Sequence, residues 1–283
     1  MKIMFQKMHG AKNDFVVFHD LENAVSLSPS QVSLLCDRRV GVGADGVIVV
    51  RPSDVGDFFM DYINSDGTVA EMCGNGIRCL AKYVYDNSLI KSTHVVIETR
   101  AGIKNVDLIK DQAGKLISAR VDMGQPFFEP SNIPVNIPDI TFPVLDYPLN
   151  VKDKTFRCSF VSMGNPHCVI IYDEEGLEEA PKLYGRLLEC HSVFPAKTNV
   201  EFVKVIDRSK IIMRVWERGS GETLACGTGA CASAVITRLK GLTDESVSVE
   251  LLGGVLNVNW KGNNDTVLMT GGVETVYVGK ITI

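Results

Sequence analysis

Two short stretches of the sequence carry the residues best suited to acid–base chemistry, and the two are nearly identical in pattern. Each has a cysteine, a glycine, one further residue and a second glycine, followed by good helix formers: Cys73–Gly76 and Cys226–Gly229. This pattern predicts a loop that ends on a cysteine at the start of a helix. There the unpaired backbone N–H groups and the helix dipole favour a thiolate and can bind an anion. Two such cysteines in one chain indicate a matched pair.

A matched pair of cysteines could invert the configuration of a carbon atom held between them. A thiolate at Cys73 or Cys226 would remove a proton from one face, and the other residue, still a thiol, would protonate the opposite face. Backbone N–H groups from both helix starts would hold a carboxylate beside that carbon and stabilise the developing carbanion. We expect the two thiols to titrate as a coupled pair, with one ionised and one protonated.

The elements around the two cysteine stretches repeat as well. Each half of the chain consists mostly of predicted antiparallel strands, with hairpins such as the one over 94–109, and one unusually apolar helix. The helix after Cys226 is apolar almost all round over 230–236, so protein must surround it. We therefore expect an α/β (α+β) fold of two pseudo-symmetric domains. Each would be a mostly antiparallel sheet wrapped around a central helix, with the active site in the cleft between the domains.

Residues 124–150 separate the two halves. Six prolines fall in this segment, which excludes a central strand or a helix and indicates a linker or an irregular edge. We place an N-terminal domain with the first cysteine at 1–123 and a C-terminal domain with the second at 124–271. The last strand, 272–283, is expected to return to the first domain.

Three local patterns complete the prediction of elements. Ser28-Pro29-Ser30 predicts a helix start, and the acidic stretch Glu174–Leu188 predicts a further helix. The glycine-rich stretch Gly41–Gly46 comes before a predicted strand and lacks the lysine of a phosphate loop, which excludes that kind of nucleotide site.

The bulk composition excludes several classes of protein. The 283 residues are 45% hydrophobic and 22% charged, and the formal net charge of -5 offers no basic surface for nucleic acid. No apolar run is long enough to cross a bilayer, and the first seven residues lack the apolar region of a signal peptide. We expect a cytoplasmic enzyme that acts on a small molecule, with no nucleic-acid or membrane partner.

The chain has eight cysteines, which are expected to be mostly free thiols in that compartment. None forms a Cys-x-x-Cys pair, so neither a zinc ribbon nor a thioredoxin-like site is indicated. Those outside the two stretches are expected to be small buried apolar residues: Cys36, Cys79, Cys158, Cys168, Cys190 and Cys231.

Seven segments, taken in order along the whole chain, form a specific set: His9–Phe15, Asn64–Gly67, Cys73–Gly76, Met163–His167, Asn199, Glu217–Gly219 and Cys226–Gly229. In this set the sequence resembles the diaminopimelate epimerases of bacterial lysine and cell-wall precursor synthesis. The resemblance implies interconversion of LL-2,6-diaminopimelate and meso-diaminopimelate by two-base proton transfer at the α-carbon. It also implies a homodimer and an isomerase that needs no pyridoxal phosphate, metal or other cofactor.

The resemblance also implies roles for individual residues. Cys73 and Cys226 would be the catalytic acid–base pair. Backbone N–H groups would bind the reacting carboxylate at four positions: Gly74, Asn75, Gly227 and Thr228. Polar side chains would hold the rest of the substrate, with the arginine as bidentate partner of the distal carboxylate: Asn13, Asn64, Asn165, Asn199 and Arg218.

Three further residues take supporting roles by the same resemblance. His167 and Glu217 would tune the protonation of the cysteines, and the backbone around Glu217 would help to receive an ammonium group. Tyr277 would lie at the dimer contact. The chain departs from the pattern at Gly46, where many relatives have a substrate-contacting glutamine, so that contact is lost or supplied otherwise.

Two other functions fit part of the sequence. A cofactor-independent racemase of the same fold could act on another amino acid, but the retained asparagines and Arg218 suit a substrate with a distal amino-carboxylate. A substrate-specificity assay separates these two. A cysteine hydrolase using Cys226 with His167 is the third reading, and the duplicated cysteine argues against it because a hydrolase needs one nucleophile. A thioester trapped on Cys226 would support the hydrolase.

Overall fold

The chain divides into two structural units, Met1–Asp122 with Thr270–Ile283 and Met123–Met269. The computed structural model describes residues 2–138, 141–152 and 154–282. Residues 1, 139, 140, 153 and 283, which fall within the predicted domains and last strand, lie outside the described residues.

The helices and strands follow in chain order. In the first unit they are β1 (Lys2–Gly10), β2 (Asn13–His19), α1 (Pro29–Cys36), β3 (Gly46–Arg51), β4 (Phe58–Asn64), α2 (Gly74–Asp86), β5 (His94–Thr99), β6 (Gly102–Lys110) and β7 (Leu116–Asp122). The second unit has β8 (Tyr147–Val151), β9 (Lys154–Ser162), β10 (Pro166–Ile171), a π-helical turn (Pro181–Gly185), α3 (Arg186–Glu189), β11 (Asn199–Asp207), β12 (Lys210–Glu217), β13 (Gly221–Glu222), α4 (Gly227–Leu239), β14 (Ser246–Leu251) and β15 (Gly254–Asn259). The chain continues with β16 (Leu268–Gly272) and β17 (Glu274–Thr282).

The start of α1 confirms the local prediction at Ser28. The Ser28 side chain accepts from the backbone of Gln31, and the Gln31 side chain accepts from the backbone of Ser28, which is a complete capping box. Pro29 occupies the first helical turn, where its missing N–H costs nothing.

The first unit alternates antiparallel and parallel strand pairs. β1 and β2 are antiparallel, β2 and β3 parallel, β3 and β4 antiparallel, and β4 and β5 parallel, before antiparallel β5–β6 and β6–β7. Parallel neighbours need a crossover connection, and here α1 joins β2 to β3 while α2 joins β4 to β5. The last strand, β17, pairs antiparallel with β1.

The second unit uses the same order of pairings. β9 and β10 are antiparallel, β10 and β11 parallel, β11 and β12 antiparallel, and β12 and β14 parallel, with β14–β15 antiparallel again. The helix α4 joins β12 to β14, as α2 joins β4 to β5 in the first unit. The predicted α+β repeat is confirmed. Its sheets are mixed, because each cysteine helix is the crossover between two parallel strands.

Protein surrounds both cysteine helices. In α2 every residue from Gly74 to Val84 is buried, and α4 is buried at Gly227 and throughout 229–237. A sheet wrapped around a central helix, as predicted for each unit, explains why α4 can be apolar on all its faces.

The acidic stretch Glu174–Leu188 differs from its prediction. Helical geometry appears only in the π-helical turn from Pro181 and in the short α3. Gly176 has a φ of 85°, a left-handed conformation that breaks a helix, and Pro181 fits only the first turn of the helix that follows. The predicted helix is therefore wrong over its first half.

The proline-rich segment 124–150 is packed rather than a free linker. Ile133, Val144 and Leu149 belong to the hydrophobic core of the second unit. Its last part forms β8, which pairs with β9 and tolerates Pro148 as an edge strand does. The alternative of an irregular edge is the one that holds.

Two further expectations concern the state of the cysteines and the presence of membrane-spanning helices. All eight cysteines are free thiols, as predicted, but Cys190 is exposed and its expected burial is wrong. Cys190 follows the last residue of the short α3, where the chain turns. Among the residues that the structure describes, no helix is both long enough and apolar enough to cross a membrane.

Candidate functional site

Both predicted cysteines begin a helix, and they do so in the same way. Cys73 and Cys226 are the N-cap residues of α2 and α4, with extended backbone angles of φ −138° and ψ 116°, and φ −120° and ψ 114°. Each Sγ accepts a hydrogen bond from the third helical residue, at 3.4 Å from the Gly76 nitrogen and 3.3 Å from the Gly229 nitrogen. The sulfur thus replaces the oxygen that usually caps a helix.

The second glycine of each motif is required by space. A Cβ on Gly76 would lie 2.9 Å from the Cδ1 of Ile48, and one on Gly229 would lie 2.8 Å from a carboxylate oxygen of Glu201. The same Cβ on Gly229 would lie 3.3 Å from the Cys226 sulfur. A side chain at either position would displace the groups around the cysteine.

Asparagine side chains and a buried cation surround Cys73. The Cys73 thiol lies 3.5 Å from Asn13 Oδ1, which also accepts from Asn75 Nδ2 at 3.2 Å. Arg78, with no exposed surface, donates to the Gly74 carbonyl at 2.8 Å and to Asn75 Oδ1 at 2.9 Å. We call this group the Cys73 centre; it brings together Asn13, Gly74 and Asn75 of the predicted residues.

Charged groups behind Asn13 hold it in place. Asn13 Nδ2 donates to Asp45 at 2.7 Å, and Arg38 bridges Asp45 and Asp14 at 2.8 and 2.7 Å. Burial alone would raise the pKa of Asp14, but hydrogen bonds from Arg38 and Lys7 outweigh it and hold that pKa far below its usual range. The turn that carries Asn13 is therefore fixed by the Asp45 side chain and by Asp14, whose low pKa keeps it ionised.

Asn64 makes different contacts. Its side chain donates to the Thr68 hydroxyl at 3.0 Å, at the end of β4, rather than to the Cys73 centre. It lies opposite Gly46 in the β3–β4 register. A Cβ on Gly46 would lie 2.6 Å from the Tyr62 ring, so Tyr62 takes the space that a glutamine side chain would need.

A chain of hydrogen bonds runs from the interior to Cys226. Glu201 and His167, both without exposed surface, meet at 2.7 Å through Nδ1, and His167 Nε2 lies 3.0 Å from Asn165 Oδ1. Asn165 Nδ2 donates to the Thr228 hydroxyl at 3.3 Å, and that hydroxyl lies 3.5 Å from the Cys226 sulfur. We call these five residues the Cys226 centre.

The direction of each hydrogen bond in this series follows from which atoms can donate. Asn165 Oδ1 can only accept, so His167 Nε2 carries a hydrogen, and Asn165 Nδ2 then donates to the Thr228 oxygen. The Thr228 hydrogen is left to point at the Cys226 sulfur, which also receives the Gly229 N–H. Both groups that reach the sulfur can donate to it, which favours a thiolate when one forms.

Burial and carboxylates act in the opposite direction on Cys226. The residue is 5% exposed. Its pKa lies well above the ordinary value, first because of burial and then because of the nearby charges of Glu217 and Glu201. Glu217 has a raised pKa, again mainly through burial, although Thr223 and Cys226 donate to it. Burial and the two carboxylates therefore favour the protonated thiol of Cys226 over the thiolate.

Asn199 and Arg218 are joined through the backbone. Asn199 is 3% exposed, donates to the Pro166 carbonyl at 2.9 Å and accepts from the Arg218 N–H at 2.9 Å. The Arg218 side chain is exposed and makes one long contact of 3.5 Å with the Ala196 carbonyl. Three predicted residues of the second unit thus belong to the Cys226 centre: Asn165, His167 and Thr228. Asn199 and Arg218 form the neighbouring pair.

Tyr277 lies on β17. Its ring packs edge-on against Phe5 at 6.1 Å and remains 44% exposed. Three apolar neighbours on the same pair of strands are more than half exposed: Met4, Val276 and Val278.

Sequence reasoning missed three residues that complete these centres. Arg78 stands between the apolar residues Ile77 and Leu80 of α2, and Glu201 interrupts the apolar run of β11. A charge inside an apolar pattern was the available signal, because a buried charge needs a partner. The sequence around Asp45 gave no such signal. The role of Asp45 depends on the contact between the β1–β2 turn and the end of the loop before β3.

Within residues 2–138, 141–152 and 154–282, no cluster of three or more His, Cys, Asp and Glu side chains is arranged to hold a metal ion.

Comparison with known proteins places these centres in a family context. A family model described as diaminopimelate epimerase matches residues 5–129 and 159–276. The diaminopimelate epimerase of Leptospira biflexa serovar Patoc is 44% identical over 284 residues, covering 100% of both chains. That of Methanococcus maripaludis strain C5 is 44% identical over 281 residues, covering 99% of each. Among solved structures, a hydroxyproline epimerase from Agrobacterium vitis has a TM-score of 0.71 at 15% identity, covering 99% of this chain and 91% of that one, which shows the fold alone.

Proposed function

Because the chain belongs to the diaminopimelate epimerase family, an isomerase family, we propose that Cys73 and Cys226 interconvert LL- and meso-2,6-diaminopimelate by two-base proton transfer. The observation that carries this proposal is the pair of helix starts. In two units with the same order of strand pairings, a cysteine sulfur caps the buried crossover helix and accepts the N–H of the third helical residue.

The reaction balances with the two thiols alone. The thiolate of one cysteine takes the α-proton, the electron pair stays on the α-carbon, and the thiol of the other cysteine protonates the opposite face. The two cysteines have then exchanged protonation states, and a proton exchange with solvent restores the starting form. The carbanion is stabilised by N–H groups at the reacting carboxylate, in a site from which water is excluded.

The proposed substrate contacts are those that the resemblance to the family implies. Backbone N–H groups of Gly74, Asn75, Gly227 and Thr228 receive the reacting carboxylate, since the first turn of a helix offers donors without intrahelical acceptors. Arg218 binds the distal carboxylate with both arms of its guanidinium, and Asn13, Asn64, Asn165 and Asn199 complete the polar contacts. The backbone at Glu217 receives an ammonium group.

The resting protonation states differ between the two cysteines. Cys226, buried beside Glu217 and Glu201, starts as the thiol, and His167 and Glu217 set how readily it ionises. At Cys73 the Arg78 guanidinium, which lies against the adjoining residue Gly74, and the α2 dipole both favour the thiolate form.

The proposal extends to assembly and location. The enzyme is a homodimer with Tyr277 at the contact, supported by the exposed apolar residues on β1 and β17. It works in the cytoplasm without a cofactor, and its free thiols suit a reducing compartment. It has no nucleic-acid or membrane partner.

A stereospecific assay tests the function. Purified protein in reductant, incubated with LL-diaminopimelate without added cofactor, is expected to produce the meso isomer, resolved by chiral chromatography. No conversion of diaminopimelate, together with racemisation of a different amino acid, would replace the proposal with a racemase of other specificity. Light scattering tests the dimer, and Tyr277→Glu is expected to shift the mass towards the monomer.

A further inference from the structure

The turn that carries Arg218 is held by a buried carboxylate that has no assigned role. Glu217 to Ser220 form a tight turn, in which the Ser220 N–H donates to the Glu217 carbonyl at 3.1 Å. Gly219 has a φ of 81°, as the third residue of a type II turn requires. The turn links β12 to β13 and is exposed at its tip.

Glu189, from α3, reaches this turn from beneath. Its side chain is 1% exposed. One carboxylate oxygen accepts the Gly219 N–H at 2.9 Å, and the other accepts Trp216 Nε1 at 2.8 Å and Arg186 at 3.0 Å. Every neighbour is a donor, so both oxygens must accept, and only a carboxylate provides two acceptors at that position.

Asn199 holds the same turn from the other side. Its Oδ1 accepts the N–H of Arg218, and the next N–H along the chain, that of Gly219, goes to Glu189. Two consecutive peptide groups are thus fixed by buried side chains, while the Arg218 side chain between them stays exposed. The backbone from which the guanidinium projects is held rigid before any substrate arrives.

We propose that Glu189 is a positioning residue that fixes the Arg218 turn and thereby sets the affinity for the distal carboxylate of the substrate. This inference rests on the proposed function of Arg218. Glu189 does not touch the substrate; it acts through the backbone of the turn. Burial alone would raise the pKa of Glu189, but the hydrogen bonds from Trp216, Gly219 and Arg186 outweigh it and lower that pKa, so the acceptors persist at neutral pH.

Glu189→Gln tests the inference because it keeps the shape of the side chain. It also places an NH₂ donor where a hydrogen-bond donor now meets a carboxylate oxygen. Loss of one charged hydrogen bond at a binding residue corresponds to about a ten-fold rise in KM for diaminopimelate. We expect kcat to change less than KM, since the distal carboxylate is remote from the reacting carbon. In an Arg218→Ala background the same change should have little further effect on KM.

The chain provides a reporter that does not depend on activity. It contains two tryptophans, and the indole N–H of Trp216 donates to Glu189 while that of Trp260 donates to the Asp265 carbonyl at 3.1 Å. In ¹⁵N–¹H spectra, Glu189→Gln should move the Trp216 indole resonance and leave that of Trp260 in place. Glu178→Gln is the matched control: it removes an exposed carboxylate of the same unit and should change neither resonance nor KM.

The possible outcomes separate the inference from the function. A moved Trp216 resonance with KM within two-fold of the wild type would overturn the positioning role, and an unmoved resonance would show that the hydrogen bond does not exist. If Glu189→Gln does not fold, Glu189→Asp keeps both acceptors on a shorter side chain, and a smaller rise in KM is expected. A wild type that does not convert diaminopimelate refutes the proposed function, whereas the indole resonance still tests the hydrogen bond.

Discussion

The Cys73 centre and the Cys226 centre share a backbone and differ in charge. Both cysteines cap a buried crossover helix, and both sulfurs accept the N–H of a glycine three residues on. The first centre is backed by the buried guanidinium of Arg78, the second by the buried carboxylate of Glu201 and by Glu217. The same backbone arrangement therefore holds the two cysteines among groups of opposite charge, an asymmetry that suits the proposed two-base reaction.

The turns that deliver the asparagines also differ between the centres. Ala11 and Lys12, before Asn13, have φ of 52° and 60°, which is a left-handed conformation without glycine. In the second unit Gly164, before Asn165, has a φ of 95°. The first turn stores backbone strain that the second avoids, and the ion pairs of Asp14 with Lys7 and Arg38 counteract it.

Removing the sulfur of either cysteine should have the largest effect on activity, and the effect should be similar in the two centres. Cys73→Ala and Cys226→Ala are each expected to lower kcat about 10³-fold or more, because each residue acts on one face of the carbon. Steady-state assays measure this. Matched controls are Cys79→Ala and Cys231→Ala, which remove the next cysteine along each helix and should keep most of the activity. Substantial turnover in either single catalytic variant would break the pairing.

Removing the cation should affect the Cys73 centre alone. Arg78→Met leaves the Gly74 carbonyl and Asn75 Oδ1 without their buried donor, at an expected cost of about 2–3 kcal/mol in the free energy of unfolding. Urea denaturation measures the cost. Arg120→Met, which removes a surface ion pair with Asp107, should cost less than about 1 kcal/mol. Equal losses in the two variants would show that Arg78 is not a structural part of the centre.

Removing a carboxylate beside Cys226 should reduce the difference in protonation between the two cysteines. The raised pKa of Cys226 keeps it a thiol to higher pH, so Glu217→Gln, which removes a neighbouring anion, lowers that pKa. The alkaline limb of the kcat profile should move to lower pH. Alkylation of Cys226 by iodoacetamide, followed by mass spectrometry, should accelerate at fixed pH while Cys73 serves as the internal reference. An alkaline limb that does not move would show that Glu217 does not influence the pKa of Cys226.

The smallest changes in stability are expected from substitutions in the turns that precede Asn13 and Asn165. Gly164→Ala adds a Cβ that meets nothing within 4 Å, so its cost is that of the backbone alone, about 1–2 kcal/mol. Ala11→Gly relieves a left-handed residue and should stabilise the protein by less than about 1 kcal/mol. Thermal unfolding measures both. The same sign for both substitutions would contradict the strain assigned to the Asn13 turn.

Local patterns predicted what depends on neighbours along the chain. The helix start at Ser28, the hairpin over 94–109 and the two cysteine helix starts follow from a few consecutive residues, because caps and tight turns are local. The helix predicted from Glu174 failed where Gly176 takes a left-handed conformation, which composition alone does not reveal.

Residues whose roles depend on strand pairing could not be predicted. Glu201 meets His167 because β10 and β11 are parallel neighbours, and Glu189 meets Gly219 because α3 lies against the end of β12. These contacts join residues tens of positions apart. The charge of Glu201 inside an apolar strand indicated a partner, and only the pairing identified it.

The measurement that tests the two-base account most directly is the reaction in D₂O, followed by mass spectrometry of both isomers at early times. If Cys73 and Cys226 act on opposite faces, meso-diaminopimelate formed from the LL isomer should carry deuterium at the α-carbon while unreacted LL-diaminopimelate stays protiated. Meso product that keeps its protium, or substrate that exchanges as fast as product forms, would contradict the account by indicating a single base.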